Sequence, residues 1–115
     1  MVCANGISAY ADIGRGTQFF HRGLGCVIHP RAIIGKDCKI FQNVTIGSKW
    51  SDGECEGAAP IIGDNVFIGA GSVILGDIRI GDGAIIGSNA VVINDILPGK
   101  VVGGIPARSL KRENQ

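Results

Sequence analysis

A parallel β-helix wound as a three-sided prism is the fold this sequence predicts, and two observations carry that expectation. Branched aliphatic residues recur every six positions, at Ile28, Ile34, Ile40 and Ile46, then at Ile62, Ile68, Ile74, Ile80, Ile86 and Val92. Four residues after most of these stands a small or medium side chain, at Ala32, Cys38 and Val44, then Val66, Ser72, Ile78, Ala84, Ala90 and Ile96. A six-residue unit with two inward positions holds one short strand and one turn. Three such units close a coil of about 18 residues, which stacks on the next at roughly 4.8 Å. A period of six matches neither the 3.6 of an α-helix nor the 3.5 of a coiled coil, and glycine at this frequency would cost a helix about 1 kcal/mol per residue. An antiparallel sandwich needs strands of about five residues or more, whereas this spacing leaves two or three before each corner.

Taken in order, Ile7, Ile13 and Phe19 continue the large period, with Ala11 and Thr17 at the small position, so the prism starts near residue 7. The segment from His21 to Cys26 breaks phase, which returns at Ile28. Glycine often follows the large position, as Gly35, Gly47, Gly63, Gly69, Gly81 and Gly87. There a turn takes an unusual backbone angle or brings two backbones close together. Sixteen residues separate Ile46 from Ile62, where a multiple of six is expected, and the extra stretch 48–60 reads SKWSDGECEGAAP. This predicts a loop protruding from one corner, and such excursions from a solenoid commonly mark its working surface. A tail over 108–115, ending in KRENQ, follows the last corner, and the whole of 1–115 reads as a single domain.

Eleven basic and ten acidic residues leave a net charge of +1, which gives no electrostatic reason to expect nucleic acid or an acidic membrane as a partner. At 115 residues the chain's own core is modest, so a partner subunit is expected. Four cysteines, Cys3, Cys26, Cys38 and Cys55, form no CxxC pair and no secretory leader precedes them, which predicts reduced thiols in the cytoplasm. Glycine or charge interrupts every aliphatic cluster, so no membrane span is expected. Two histidines cannot supply the three ligands of a catalytic zinc site, so no metal is expected, and two threonines, Thr17 and Thr45, cannot make an ice-binding face.

Several segments resemble the hexapeptide-repeat acyltransferases, and within them the serine acetyltransferases and polysaccharide O-acetyltransferases. They are IGRG at 13–16 with an eight-residue step from Ile13 to His21, then GLGCVIHPRAIIG, IFQNVTIG, and the ending GGIPAR at 103–108. The similarity covers nearly the whole chain. It implies a left-handed parallel β-helix, a homotrimer of parallel prisms, and an active site in each groove between neighbours. It implies acetyl-CoA as co-substrate and a small hydroxyl, most readily on a sugar or polysaccharide precursor, as acceptor. Serine O-acetylation and a non-catalytic trimeric scaffold are the alternatives.

Transfer of an acetyl group to a hydroxyl needs a general base, and histidine suits that role near pH 7. His21 aligns with the family's catalytic histidine and falls in the phase-breaking segment. His29 follows the inward Ile28 and should point outward, as a second candidate or a solvated surface group. Gly47 is similar to a family position where a backbone N–H faces the thioester oxygen, although glycine at that corner is also what the fold would demand. For CoA, Ala70 and Ser88 are small residues along which the pantetheine arm would lie, and Arg108 with Lys111 would meet the nucleotide phosphates. Cys26 borders the same segment as His21 but reads as repeat filler, and Trp50 could contact the acceptor or a neighbouring chain.

Serine acetyltransferases carry an aspartate just before the catalytic histidine, where this chain has Phe20, and an Arg-His pair where it has Ala58 and Ala59. Their aspartate that orients the histidine falls here at Gly6, and the spacing from His21 to Gly25 is one residue longer than usual. Those departures weigh against serine and leave the group that orients His21 unidentified. Neither the family's helical N-terminal domain nor its isoleucine-ending tail is expected here, so a cysteine synthase partner is not expected either.

Overall fold

A computed structural model describes residues 6–49 and 57–110 of the chain. The first coil holds β1 (Gly6–Ile7), β2 (Asp12–Ile13) and β3 (Gln18–Phe19), and the second β4 (Val27–Ile28), β5 (Ile33–Ile34) and β6 (Lys39–Ile40). The third holds β7 (Thr45–Gly47), β8 (Ile61–Ile62) and β9 (Phe67–Ile68), and the fourth β10 (Val73–Leu75), β11 (Arg79–Ile80) and β12 (Ile85–Ile86). The last holds β13 (Val91–Val92), β14 (Val101–Gly103) and β15 (Arg108–Ser109). Successive side chains in a strand point to opposite sides, so each two-residue strand has one outward residue and one inward. In β4, β5 and β6 the first is exposed and the second buried.

Strands of one face pair across coils. The first face runs β1-β4-β7-β10-β13, the second β2-β5-β8-β11, and the third β3-β6-β9-β12-β14-β15. The register aligns equal repeat positions, Ile28 with Ile46 and Ile40 with Ile68, so the large residues stack in three inward columns. Ile28, Ile34, Ile40, Ile46, Ile62, Ile68, Ile74, Ile80, Ile86 and Val92 are all buried, as are the smaller Ala32, Cys38, Val44, Val66, Ser72, Ala84 and Ala90. Each buried isoleucine contributes about 1.5–3 kcal/mol of transfer free energy. Ser72 is tolerated because its hydroxyl lies 2.8 Å and 2.9 Å from the carbonyl oxygens of Gly69 and Gly87. The result is a left-handed parallel β-helix, almost wholly without helix among the described residues.

Of the two reasons offered for glycine after the large position, close approach is the one that operates. A Cβ on Gly35 would stand 2.5 Å from the Gly63 carbonyl oxygen, a distance no side chain tolerates. The left-handed angles occur two residues later, at Asp37, Asn43, Asn65 and Asn89. Gly47 differs, because a Cβ there would meet only Leu75 at an ordinary 3.6 Å. The fold therefore does not demand glycine at 47, contrary to expectation. The end of the chain differs too. Arg108 and Ser109 turn back and pair antiparallel with β14, Gly103 opposite Arg108, so the expected tail opens with a strand. Among the described residues no helix is long and apolar enough to cross a membrane.

Candidate functional site

The corner between the third and first faces is where the repeat is broken. Three backbone hydrogen bonds give its register. Asn43 N–H donates to the Leu24 oxygen, Gly71 N–H to the Gln42 oxygen, and Asn89 N–H to the Ala70 oxygen. Leu24, Gln42, Ala70 and Ser88 therefore occupy one equivalent position in four successive coils. Phe20 and Phe41 occupy the position before it, and their rings stack with centroids 4.6 Å apart and planes within 11°. The residues in excess are then His21, Arg22 and Gly23, inserted between Phe20 and Leu24. All three have positive φ, at 55°, 59° and 67°, which throws them out as a tight turn closed by Leu24 N–H on the His21 oxygen at 3.1 Å.

This insertion exposes His21, as its place outside the repeat predicts. Beneath it the same edge carries Gln42, then Ala70, partly buried, then the exposed Ser88. Arg108 closes the series opposite Gly103, exposed, its Nη1 donating to the Ala107 oxygen at 3.3 Å. Five strand steps from β3 to β15 at roughly 4.8 Å make this edge about 24 Å long. His21, Ala70, Ser88 and Arg108 thus share one edge of the prism, while Lys111 lies outside the described residues, as does Trp50.

His29 and Gly47 lie elsewhere, on the corner between the first and second faces. Each follows an inward isoleucine of the first face, and His29 N–H donates to the Ile46 oxygen at 2.8 Å, so the two are stacked neighbours. Nδ1 of His29 accepts the Arg31 backbone N–H at 3.0 Å, which places the proton of the neutral ring on Nε2. A base would have to give up that arrangement, so the ring is better placed as a donor. The stretch 48–60 begins at this same corner, directly after Gly47, and residues 50–56 of it lie outside the described residues. A cleft of about 640 Å³ opens beside it, lined by Lys49, Asp77, Asn94 and Asp95 among others.

Cys26 is fully buried and its Sγ faces the Phe41 oxygen at 3.2 Å. Burial pushes its thiol above the usual range, as it does for Cys38, where Asp64 adds to the effect. A neutral thiol turned into the core is no nucleophile for an exposed histidine.

Two features of the edge are absent from the sequence reading. Phe41 pairs with Phe20, and Phe67 tilts against Phe41 at 5.2 Å, making an aromatic shelf beside His21. The equal repeat positions of Phe20 and Phe41 are the signal that would have found the stack. The second feature is Gln42, whose Oε1 is buried without a hydrogen-bond partner. No sequence signal marks it, since glutamine at a corner is ordinarily solvated.

Residues 59–94 match the family model described as bacterial transferase hexapeptide (six repeats). A serine acetyltransferase of a Synechocystis strain is 47% identical over 98 residues, which cover 85% of this chain and 38% of that relative. Among solved structures, a serine acetyltransferase from Vibrio cholerae superposes with a TM-score of 0.82 at 42% identity, covering 92% of this chain and 40% of its own. A serine acetyltransferase in complex with CoA superposes at 0.76 and 37% identity, covering 88% and 39%. The chain spans less than half the length of the curated relatives it matches. The chain thus carries hexapeptide repeats wound into a parallel β-helix, and along nearly its whole length it is similar to one part of serine acetyltransferases.

Proposed function

We propose that this chain is an acetyl-CoA-dependent O-acetyltransferase unit that works as a homotrimer, with His21 as general base. The observation that carries the reading is the single edge running from His21 past Ala70 and Ser88 to Arg108. Along it a thioester would lie with its carbonyl near His21 and its phosphates near Arg108. Histidine takes the acceptor's hydroxyl proton as the oxygen attacks the thioester carbonyl, and the thiol leaves with a proton returned to it. Backbone N–H groups at Gly47 would face the developing oxyanion, and the absence of a crowding requirement at Gly47 suits an approach by substrate.

The trimer explains why the two halves of the candidate site stand on different corners. His21 and the pair His29 and Gly47 are separated by the first face, whose outward residues Gly6, Val27, Thr45, Val73 and Val91 carry no charge. A neighbour's loop corner set against the His21 edge would bring them together. An enzyme that draws on acetyl-CoA would work where that donor is found, in the cytoplasm.

The relatives support serine as the acceptor ahead of the sugar hydroxyl that the motifs put first. One observation favours the second reading. The His21 corner presents the Phe20 and Phe41 stack where serine acetyltransferases carry a carboxylate, and an aromatic shelf suits the apolar face of a sugar ring better than an ammonium group. Thiol release from acetyl-CoA, measured with L-serine and with a set of monosaccharides, decides between them, alongside titration calorimetry of acetyl-CoA. Binding that weakens in Arg108→Ala and survives in His21→Ala is expected. A folded trimer that binds no acetyl-CoA would overturn the enzymatic reading and leave a scaffold.

A further inference from the structure

A neutral histidine acts as base through the nitrogen that lacks the proton, so an acceptor for the other nitrogen's N–H is what fixes the ring for work. The His21 corner, residues 20–26, 41–44, 69–72 and 87–90, contains no aspartate or glutamate. Among the described residues the carboxylates lie at the other two corners or, for Asp12, on β2 of the second face. One acceptor at this corner is nevertheless unused, the buried Oε1 of Gln42. A buried carbonyl oxygen left unpaired has lost its hydration without compensation, which makes it receptive to any donor that reaches it.

The register brings the two together. Phe20 is clamped on Phe41, and Leu24 sits above Gln42 through the Asn43 hydrogen bond at 2.8 Å. The inserted turn His21–Arg22–Gly23 therefore bridges the step from Phe41 to Gln42 in the coil below. We propose that Gln42 is the positioning residue for His21, its Oε1 accepting the Nδ1 proton and leaving Nε2 as the base. The side chain replaces with a neutral amide the carboxylate whose place falls at Gly6. His29 is held in the opposite tautomer by the Arg31 N–H, so the chain's two histidines would carry their protons on different nitrogens.

The kinetic part of this inference rests on the acetyl-transfer reading, and the spectroscopic part does not. Long-range 1H–15N correlation of the imidazoles in the intact protein reports each tautomer, and His29→Gln assigns the two rings. In the neutral form His21 is expected protonated on Nδ1 and His29 on Nε2. Gln42→Met, similar in shape but without the acceptor, should move His21 toward the Nε2-protonated form that free imidazole side chains prefer. Gln42→Glu should restore Nδ1 protonation. In thiol release, Gln42→Met should lower kcat about 10–100-fold, less than loss of the base itself, with KM for acetyl-CoA unchanged, and Gln42→Glu should recover it. Thermal unfolding of both variants, with Gln42→Asn as a second truncation of reach, separates loss of fold from loss of orientation. A native His21 already protonated on Nε2, or one whose tautomer ignores every Gln42 substitution, overturns the inference. Tautomer control by Gln42 in a protein that transfers no acetyl group would uphold it and instead remove the acetyl-transfer reading.

Discussion

The corner between the second and third faces and the corner that carries His21 are built from the same repeat and spend their side chains differently. At the former, Asp64 Oδ1 accepts the Lys36 backbone N–H at 2.9 Å, and Asp82 Oδ1 accepts the Asp64 N–H at 2.7 Å. Thr17 joins in, its hydroxyl donating to the Gly35 oxygen at 2.7 Å and accepting the Cys38 N–H at 3.1 Å. Its polar groups are consumed in tying one coil to the next. At the His21 corner Ser72 ties two lower coils in the same way, through the Gly69 and Gly87 oxygens, but a histidine, two stacked phenylalanines and an orphan amide nearer the inserted turn make no such side-chain hydrogen bond. A solenoid has structural duties to fill at every corner. Where side chains are not taken up in this way they are free for chemistry, and this contrast supports the proposed site without appeal to any resemblance.

The comparison can be broken most forcefully at His21. His21→Ala should remove acetyl transfer by about 10²–10⁴-fold while leaving the thermal unfolding midpoint within a degree or two of native. Loss of stability instead, read by circular dichroism, would make the inserted turn architectural. Next in size is the crowded glycine of the other corner. Gly35→Ala forces a Cβ against the Gly63 carbonyl and should destabilise by about 1–3 kcal/mol or more in urea titration, whereas Gly47→Ala should stay within about 0.5 kcal/mol. Equal losses at the two positions would erase the distinction drawn between them.

A third, smaller effect follows from the buried thiols. The pKa of Cys26 and Cys38 is raised in the folded state, so the unfolded chain loses their protons first as pH rises. Their contribution to stability is whole below the ordinary thiol range and declines above it. Unfolding free energy should therefore fall through the alkaline side of that range, and less steeply in Cys26→Ala. Labelling with a thiol reagent should reach Cys26 only on the timescale of unfolding, and fast native labelling would count against a core position. Smallest of all, Asp64→Asn keeps an acceptor for the Lys36 N–H and should shift the midpoint by about 0.5 kcal/mol or less.

The core was legible in the sequence because it obeys one period, and every large position from Ile28 to Val92 points inward as the spacing says. The phase break at His21 was legible too, since the step of nine from Phe19 to Ile28 exceeds the period by three. The equivalence of Leu24 with Gln42 shows which three residues are inserted. What pattern reading missed depends on distances between coils. The freedom at Gly47 comes from Leu75, 28 positions along the chain, and looks identical in sequence to the compulsion at Gly35. The occupied Nδ1 of His29 depends on the turn to Arg31, and the unpaired oxygen of Gln42 on what covers it. Charge and periodicity record what a residue is, and these features record what a neighbouring coil leaves undone.

The backward turn of β15 has a consequence of another kind. A stack of parallel coils ends in a row of unpaired N–H and C=O groups, and one such end could continue on another in register, growing without limit into a fibre. By reversing direction, Arg108 and Ser109 cover the last strand of the third face with an antiparallel one, secured by Leu110 N–H on the Val101 oxygen at 2.8 Å. A following coil would meet a strand of the wrong polarity there. The same reversal that sets Arg108 on the candidate edge thus also acts as a stop against end-to-end polymerisation.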